Sequence, residues 1–383
     1  MAIPEISRVT PERAMRLALG QARRAEGTTF PNPPVGAVVY RGDRVLGRGC
    51  TWPAGGPHAE IVALESARRR HGRACLRGAS LAVTLEPCCH QGRTPPCTDA
   101  VAGAGISRVA IGHRDPSPEV GGRGLRRLRA RGLRVEVGVL EEACRYQHRG
   151  FLSCLERGRP WVALKLAASL DGRIATSRGE SRWITGERSR ARVHALRARA
   201  DAIVVGSGTA QVDDPALTAR RKGRVVRRPI RVLVDSGLVV PAGRRLYRGC
   251  DAASTWVLAA PRAPAARRRQ LEARGVRVLS TPRRGRHLDL ARALGRLARE
   301  GLTSLFVEGG GGLAAALFRE GLVDEVHWFA APTLIGGDGR PAVAALGLRR
   351  LSSRIQFEIR SVKRLGEDLY LHGLVARGGE ESG

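Results

Sequence analysis

Pro57-His58-Ala59-Glu60 and Glu86-Pro87-Cys88-Cys89-His90-Gln91-Gly92-Arg93-Thr94-Pro95-Pro96-Cys97 bracket the stretch on which the reading of this chain turns. Between them Leu81, Val83 and Leu85 alternate as in a strand with one apolar face. One imidazole and two thiolates make a three-donor zinc shell, and a catalytic site differs from a structural one by leaving the fourth position to water. Zinc brings the pKa of that water towards neutrality, and a carboxylate that is not itself a ligand must then carry the proton, which suits Glu60. Spacing alone leaves one alternative open, because Cys89 or His90 as a fourth donor would close the shell into a structural site. Cys97-Thr98-Asp99-Ala100-Val101 reads as a helix start, where backbone N–H groups stabilise a thiolate.

Working outward, the 383 residues exceed one ordinary domain and predict two, and a hydrophobic content of 43% supports ordinary cores. The formal charge of +31 points on its face to nucleic acid or an anionic surface. Lys165, Lys222 and Lys363 are the only lysines, however, so 63 of the 66 basic residues are arginines, spread along both halves. That is a compositional habit more than a binding patch. With aromatics at 4% there are few platforms on which bases could stack, so nucleic acid is disfavoured as a partner and small phosphorylated substrates are expected instead. The eight cysteines show no paired framework, no N-terminal stretch looks like a signal peptide, and no segment approaches the ~20 apolar residues of a membrane span. A soluble, cytoplasmic protein is expected.

In chain order, 1–8 read as a loose leader and Thr10-Pro11-Glu12-Arg13 opens a helix. Asn32, fixed between prolines, is either a reader of a substrate amide or an Asx-turn residue. Strands are expected near 35–39, 44–49, 80–86, 108–112 and 135–139, with helices at 59–70, from 97, and at 125–132, the last very basic and read as a solvated face. This alternation predicts a layered α/β domain over 1–150, followed by a linker at 151–160. A second α/β domain is expected over 161–376, with a disordered tail at 377–383. Its first strand, 161–168, carries Lys165 opposite Val162, Leu164 and Leu166; a lysine here, in a chain built on arginine, marks a place for a compact ammonium. Further strands are expected at 201–205, 230–235, 255–260, 276–280, 304–307, 356–362 and 368–375, with helices at 190–200, 288–299 and 313–319. Gly206-Ser207-Gly208-Thr209 and Glu308-Gly309-Gly310-Gly311-Gly312 follow strands, where a ligand can approach backbone and a helix N-terminus can cradle phosphate.

With these residues in view the chain resembles the bifunctional deaminase/reductase family of riboflavin biosynthesis over nearly its whole length. The strings that carry the resemblance are Pro31-Asn32-Pro33, Val35-Gly36, Pro57-His58-Ala59-Glu60, Leu85-Glu86-Pro87-Cys88, Gly92-Arg93-Thr94-Pro95-Pro96-Cys97, Ser169-Leu170-Asp171-Gly172, Trp183-Ile184-Thr185, Asp213-Asp214-Pro215 and Val307-Glu308-Gly309-Gly310. The first half also carries the general zinc-deaminase signature, His-x-Glu followed by Pro-Cys, with eight residues instead of two before the last cysteine. The resemblance implies a cytidine-deaminase-like three-layer α/β/α domain followed by a dihydrofolate-reductase-like α/β domain with a mixed sheet. It implies hydrolytic removal of the 2-amino group of a diaminopyrimidinone ribosyl phosphate, then NADPH-dependent reduction of ribosyl to ribityl.

Carried over by position, His58, Cys88 and Cys97 would hold one catalytic Zn2+ with Glu60 as proton shuttle, and Asn32, His90 and Arg93 would contact the deaminase substrate. Ala167, Trp183, Thr209, Asp213, Ser236 and the turn Gly310, Gly311, Gly312, Leu313, Ala314, Ala315 and Ala316 match NADPH-binding positions. Lys165, Ser181, Arg197, Leu217, Arg220 and Glu308 match substrate positions, with Lys165 and Asp213 nearest the reduced carbon. A homo-oligomer is expected. Thr51, Ser117 and His148 stand where the family often has histidine, asparagine and asparagine. The alternative reading is an RNA-acting zinc deaminase with an accessory domain, motivated by the charge.

Overall fold

The computed structural model describes residues 9–92, 95–249 and 254–376. The expected leader, the tail at 377–383, Arg93 and Cys250 lie outside them. The chain divides into two compact units, 1–158 and 159–383. The expected boundary therefore moves: a helix at Arg149–Arg157, with Leu152 and Ser153 buried, fills most of the anticipated linker and belongs to the first unit.

The first unit runs α1 (Pro11–Ala25), β1 (Gly36–Arg41), β2 (Arg44–Cys50), α2 (Ala59–His71), β3 (Ser80–Val83), α3 (Cys97–Gly103), β4 (Arg108–Ile111), α4 (Arg123–Ala130), β5 (Arg134–Val137), α5 (Glu141–Gln147) and α6 (Arg149–Arg157). The sheet order is β2-β1-β3-β4-β5, antiparallel where β1 meets β2 and β3, parallel from β3 to β5. Strand alternation builds two cores. Val38, Tyr40, Ala82 and Ala110 pack with Ala14, Met15, Ala18 and Leu19 of α1 on one face. Ala37, Val39, Leu81, Val83, Val109 and Ile111 pack with Ala63 and Leu64 of α2 and Leu125 and Leu128 of α4 on the other.

Two details differ from expectation. Strand β3 ends at Val83, not Glu86, and beyond it the side chains of Thr84 and Glu86 accept hydrogen bonds from backbone. The Thr84 hydroxyl accepts from Gly36 N at 3.1 Å, and the Glu86 carboxylate accepts from the N–H groups of Asp115, Gly122 and Leu125 at 3.1–3.2 Å. Helix α4 is amphipathic: Leu125 and Leu128 are buried, and Arg127 donates to Asp99 at 2.7 Å and to the Cys89 carbonyl at 2.9 Å.

The second unit runs β6 (Trp161–Ser169), α7 (Glu187–Arg197), β7 (Ala202–Gly206), α8 (Ser207–Asp213), β8 (Ile230–Val234), β9 (Thr255–Ala259), α9 (Ala265–Glu272), β10 (Arg277–Ser280), α10 (Leu290–Arg299), β11 (Ser304–Val307), α11 (Gly311–Arg319), β12 (Glu325–Ala331), β13 (Phe357–Leu365) and β14 (Asp368–Val375), with short turns and bridges between. Its nine-stranded sheet has the order β10-β9-β8-β7-β11-β6-β12-β14-β13. It is parallel from β10 to β12 and antiparallel through β14 and β13. Helices α8 and α9 and strand β12 have no counterpart in the sequence reading. The last inserts a parallel partner between β6 and the terminal hairpin.

Strand β2 fixes where the first unit's chemistry sits. Gly47 and Gly49 face α2, and a Cβ on them would lie 2.2 Å from Ala63 O and 2.3 Å from Ala59 O. The helix that starts directly after His58 can approach the sheet because those positions have no side chain. Gly49→Ala is expected to destabilise the protein by at least ~1–3 kcal/mol, the ordinary cost of overpacking, and to weaken zinc retention. Chemical denaturation and metal analysis of the variant check both; unchanged values would contradict the packing account.

Candidate active sites in the two units

In the first unit three chain segments deliver three donors. His58 is the residue before the first turn of α2, Cys97 is the first residue of α3, and Cys88 lies in the loop after β3. His58 Nδ1 is 3.5 Å from Cys88 Sγ and 3.3 Å from Cys97 Sγ, and all three donor atoms lie within 4.8 Å of one another. The Cys97 N–H donates to Cys88 Sγ at 3.3 Å. Hydrogen bonding from Cys97, against the opposing effect of burial, pulls the Cys88 thiol down; the Cys97 thiol, which makes that hydrogen bond and is buried, is pushed up. Two sulfurs that resist sharing two negative charges, with an imidazole in reach, are a donor set that a zinc ion completes, so the residues fit this metal.

Glu60, in the first turn of α2, is 4% exposed, and burial, followed by the charge of Cys88, pushes its carboxyl up to about 7. Asn32 is half-buried, in a turn closed by its N–H donating to Thr29 O at 2.9 Å and by the Thr29 hydroxyl donating to its carbonyl at 3.0 Å. His90 is exposed, with Nε2 3.6 Å from the Glu119 carboxylate. Thr51 is buried and its hydroxyl accepts from Val35 N at 3.2 Å; Ser117 N donates to Asp115 at 2.8 Å. His148 is buried, bonded to Thr84 at 3.1 Å and to His113 at 2.8 Å.

In the second unit a cleft of about 2110 Å³ opens at the carboxyl ends of the parallel strands. That volume exceeds the ~300–1,000 Å³ of a pocket for one small molecule and leaves room for a dinucleotide beside a second ligand. Lys165 and Ala167 of β6, Thr209 and Asp213 of α8, Ser236 after β8, and Glu308 to Leu313 line it, as do Ser181, Trp183, Arg197, Leu217, Arg220 and Ala316. Ala314 and Ala315 do not: both are buried on the inner face of α11. Leu217 has a left-handed backbone (φ 50°) and a buried side chain, so its backbone is what it can offer a ligand.

Arg197 grips Glu308 through two bonds, 2.5 and 2.9 Å, with both side chains largely buried. Burial works to raise Glu308, but the Arg197 guanidinium, helped by Lys165, holds it below the usual carboxylate range. Burial lowers the pKa of Lys165, which is half-buried, and raises that of Asp213. Helix α11 has Gly310 at its N-cap and no side-chain cap; Gly310 N donates to the Thr209 hydroxyl at 3.1 Å. The succeeding N–H groups of α11 are left for an anion. Trp183 is 73% exposed, with the Arg190 guanidinium 4.7 Å over its ring. Arg190 and His194 also line the cleft and were not anticipated, although with Arg197 they follow the i, i+4, i+7 spacing of one helical face.

Two family models match. One is the cytidine and deoxycytidylate deaminase zinc-binding region, over residues 8–113, and the other the RibD C-terminal domain, over residues 160–371. The chain is 39% identical over 373 residues to the riboflavin biosynthesis protein RibD of Escherichia coli, covering 94% of this chain and 97% of the relative. Among solved structures it is similar to Acinetobacter baumannii RibD, with a TM-score of 0.84, 33% identity and coverage of 96% of this chain and 99% of that one. It is also similar to a Thermotoga maritima protein described as a diaminohydroxyphosphoribosylaminopyrimidine deaminase/5-amino-6-(5-phosphoribosylamino)uracil reductase, with a TM-score of 0.81, 34% identity and coverage of 96% and 99%.

The Arg197–Glu308 pair yields a stability prediction. Glu308→Gln leaves the buried guanidinium uncompensated and is expected to cost roughly 3–5 kcal/mol in denaturant unfolding. Because the folded pKa of Glu308 is depressed, the wild-type contribution is present above the ordinary glutamate pKa and is lost as pH falls through the folded value. Equal stability of variant and wild type at neutral pH would contradict it.

Proposed function

The chain belongs to the RibD family, and from that premise we propose that it carries out two consecutive steps of riboflavin biosynthesis, a hydrolytic deamination in the first unit and an NADPH-dependent reduction in the second. The observation that carries the reading is the coexistence of a His58–Cys88–Cys97 donor set beside buried Glu60 with a separate cleft holding Lys165, Asp213 and an uncapped helix N-terminus. The substrate is 2,5-diamino-6-(5-phospho-ribosylamino)pyrimidin-4(3H)-one and the final product 5-amino-6-(5-phospho-ribitylamino)uracil. The protein is expected to act in the cytoplasm as a homo-oligomer. No helix among the described residues is long and apolar enough to cross a membrane.

In the first step, zinc held by His58, Cys88 and Cys97 would supply a Lewis acid that brings the pKa of water to near neutrality. Glu60 takes a proton from the water that adds its oxygen to the ring carbon bearing the amine, then gives it to the exocyclic nitrogen; the C–N bond breaks, ammonia departs and the ring carbon is left as a carbonyl. A carboxyl with a raised pKa can both take and give that proton. Asn32, His90 and Arg93 orient the pyrimidine.

In the second step, NADPH would supply the hydride, with its phosphates at the α11 N-terminus and Ala167, Trp183, Thr209, Asp213 and Ser236 along its length. The ring-opened ribosylamine presents a C1′ imine, so the residues must position it and balance its charge more than supply a strong acid. Lys165 and Asp213 stand at that carbon. Ser181, Arg197, Leu217, Arg220 and Glu308 hold the rest of the substrate, with arginine on its phosphate.

Glu60→Gln is expected to keep its zinc and lose ammonia release by 10²-fold or more, a typical general acid–base contribution. Wild-type turnover would remove Glu60 from this role. Lys165→Met is expected to abolish NADPH oxidation while ammonia release continues, and parallel loss of both activities would show that the units do not work independently.

A further inference from the structure

A second gathering of potential metal donors, of different types, stands in the second unit. Among the described residues Glu325, His327 and His372 form the other group whose donor atoms lie within 4.8 Å of one another. His372 Nε2 is 2.7 Å and His327 Nε2 3.2 Å from Glu325 Oε1. The sheet places them: His327 on β12 lies directly opposite His372 on β14, and Glu325, two residues earlier, shares the face of His327. The imidazoles stack at 4.9 Å with their planes 10° apart.

Each group on β12 also has an orienting partner, as metal ligands do. The Trp161 indole N–H donates to Glu325 Oε2 at 2.8 Å, and His327 Nδ1 is 2.8 Å from the Tyr370 hydroxyl. If His327 carries its proton on Nδ1 and gives it to that hydroxyl, Nε2 is left as a lone pair directed towards Glu325. Glu325 and His327 are 2% and 4% exposed, while the His372 side chain, at 16%, leaves an approach from solvent. An ion about 2.0–2.2 Å from each donor needs donor separations of about 3.0–3.5 Å; the two carboxylate–imidazole separations, 2.7 and 3.2 Å, lie at or near that range, and the third lies within 4.8 Å.

We propose that Glu325, His327 and His372 form a second metal site, for a divalent first-row transition ion with zinc the first candidate. Two imidazole nitrogens and one carboxylate oxygen suit that class and not calcium or magnesium, which take oxygen shells. None of the three residues lines the cleft. Yet His327 is the register partner of Lys165 on β6, so an ion there braces the strand next to the one that carries the cleft lysine. The role is structural, distinct from the catalytic zinc proposed for the first unit.

The test uses the full chain, stripped with a chelator and titrated with cobalt(II). The expected result is two equivalents per chain, one with the intense thiolate charge-transfer absorption of the cysteine site and one with only the weak bands of nitrogen and oxygen donors. Cys88→Ser/Cys97→Ser is expected to bind one equivalent without charge transfer, and His372→Asn to bind one with it. Because the wild-type titration needs no variant to fold, its saturation at one equivalent would overturn the proposal and leave the cluster as a proton-shared network. A second equivalent that survives His372→Asn would overturn the assignment as well.

Discussion

A carboxylate withdrawn from water must be met by donors, since breaking a buried charge pair costs on the order of 3–5 kcal/mol. That constraint shapes both units. Glu86, 4% exposed, is met by three backbone N–H groups and so ties the loop carrying Cys88 to the start of α4. Asp324 is met by Arg159 at 2.7 and 2.9 Å and by Val162 N at 2.9 Å, which fastens the start of β6 beside that of β12. Glu308 is met by Arg197, and Glu325 by the indole N–H of Trp161. Glu60 differs: its neighbours are thiols and an imidazole, and its pKa is raised. A carboxylate clamped by guanidinium holds position, whereas one raised to near neutrality among thiols and an imidazole can carry a proton.

The arginine excess makes sense in the same terms. Arg227 donates to the carbonyls of Ala198 and Ala200 at 2.6 and 3.0 Å, just past the end of α7, and Arg274 to that of Ala242 at 2.6 Å. Arg127 joins Asp99 and the Cys89 carbonyl. A planar guanidinium with five N–H groups can satisfy carbonyls that a helix end or loop leaves open. Many of these residues therefore serve the fold itself, and net charge is a poor guide to a partner here.

What could be read from the sequence follows how local each feature is. The expected zinc donors and Glu60 occupy two short strings whose residue types are demanded by the chemistry, and the structure gathers the donor atoms of His58, Cys88 and Cys97 within 4.8 Å of one another. The alternation of β1, β3 and β4 likewise shows in Val38, Leu81 and Val109. Strand β12 did not show, because Glu325 and His327 put polar residues at alternate positions that look solvent-facing and are buried. Helix α8 was hidden by Gly206, Ser207 and Gly208, which disfavour helix locally. Helix α6 occupies the expected linker, and its buried face, Leu152 and Ser153, is narrow enough to read as a connection. The cleft was legible at Lys165 and the glycine turn, but Ala314 and Ala315 fall on the wrong side of α11, and Arg190 and His194 emerge only once α7 is set against β6.

Two sites of unlike chemistry in one chain make the central claim, and a product mass spectrum tests it most directly. Zinc-loaded protein would be incubated with the diaminopyrimidinone ribosyl phosphate, with and without NADPH. Replacement of an amino group by oxygen without NADPH, followed by a gain of two hydrogens with it, is the predicted result. An unchanged substrate in both tubes would contradict the account, and deamination without any reduction would contradict its second half.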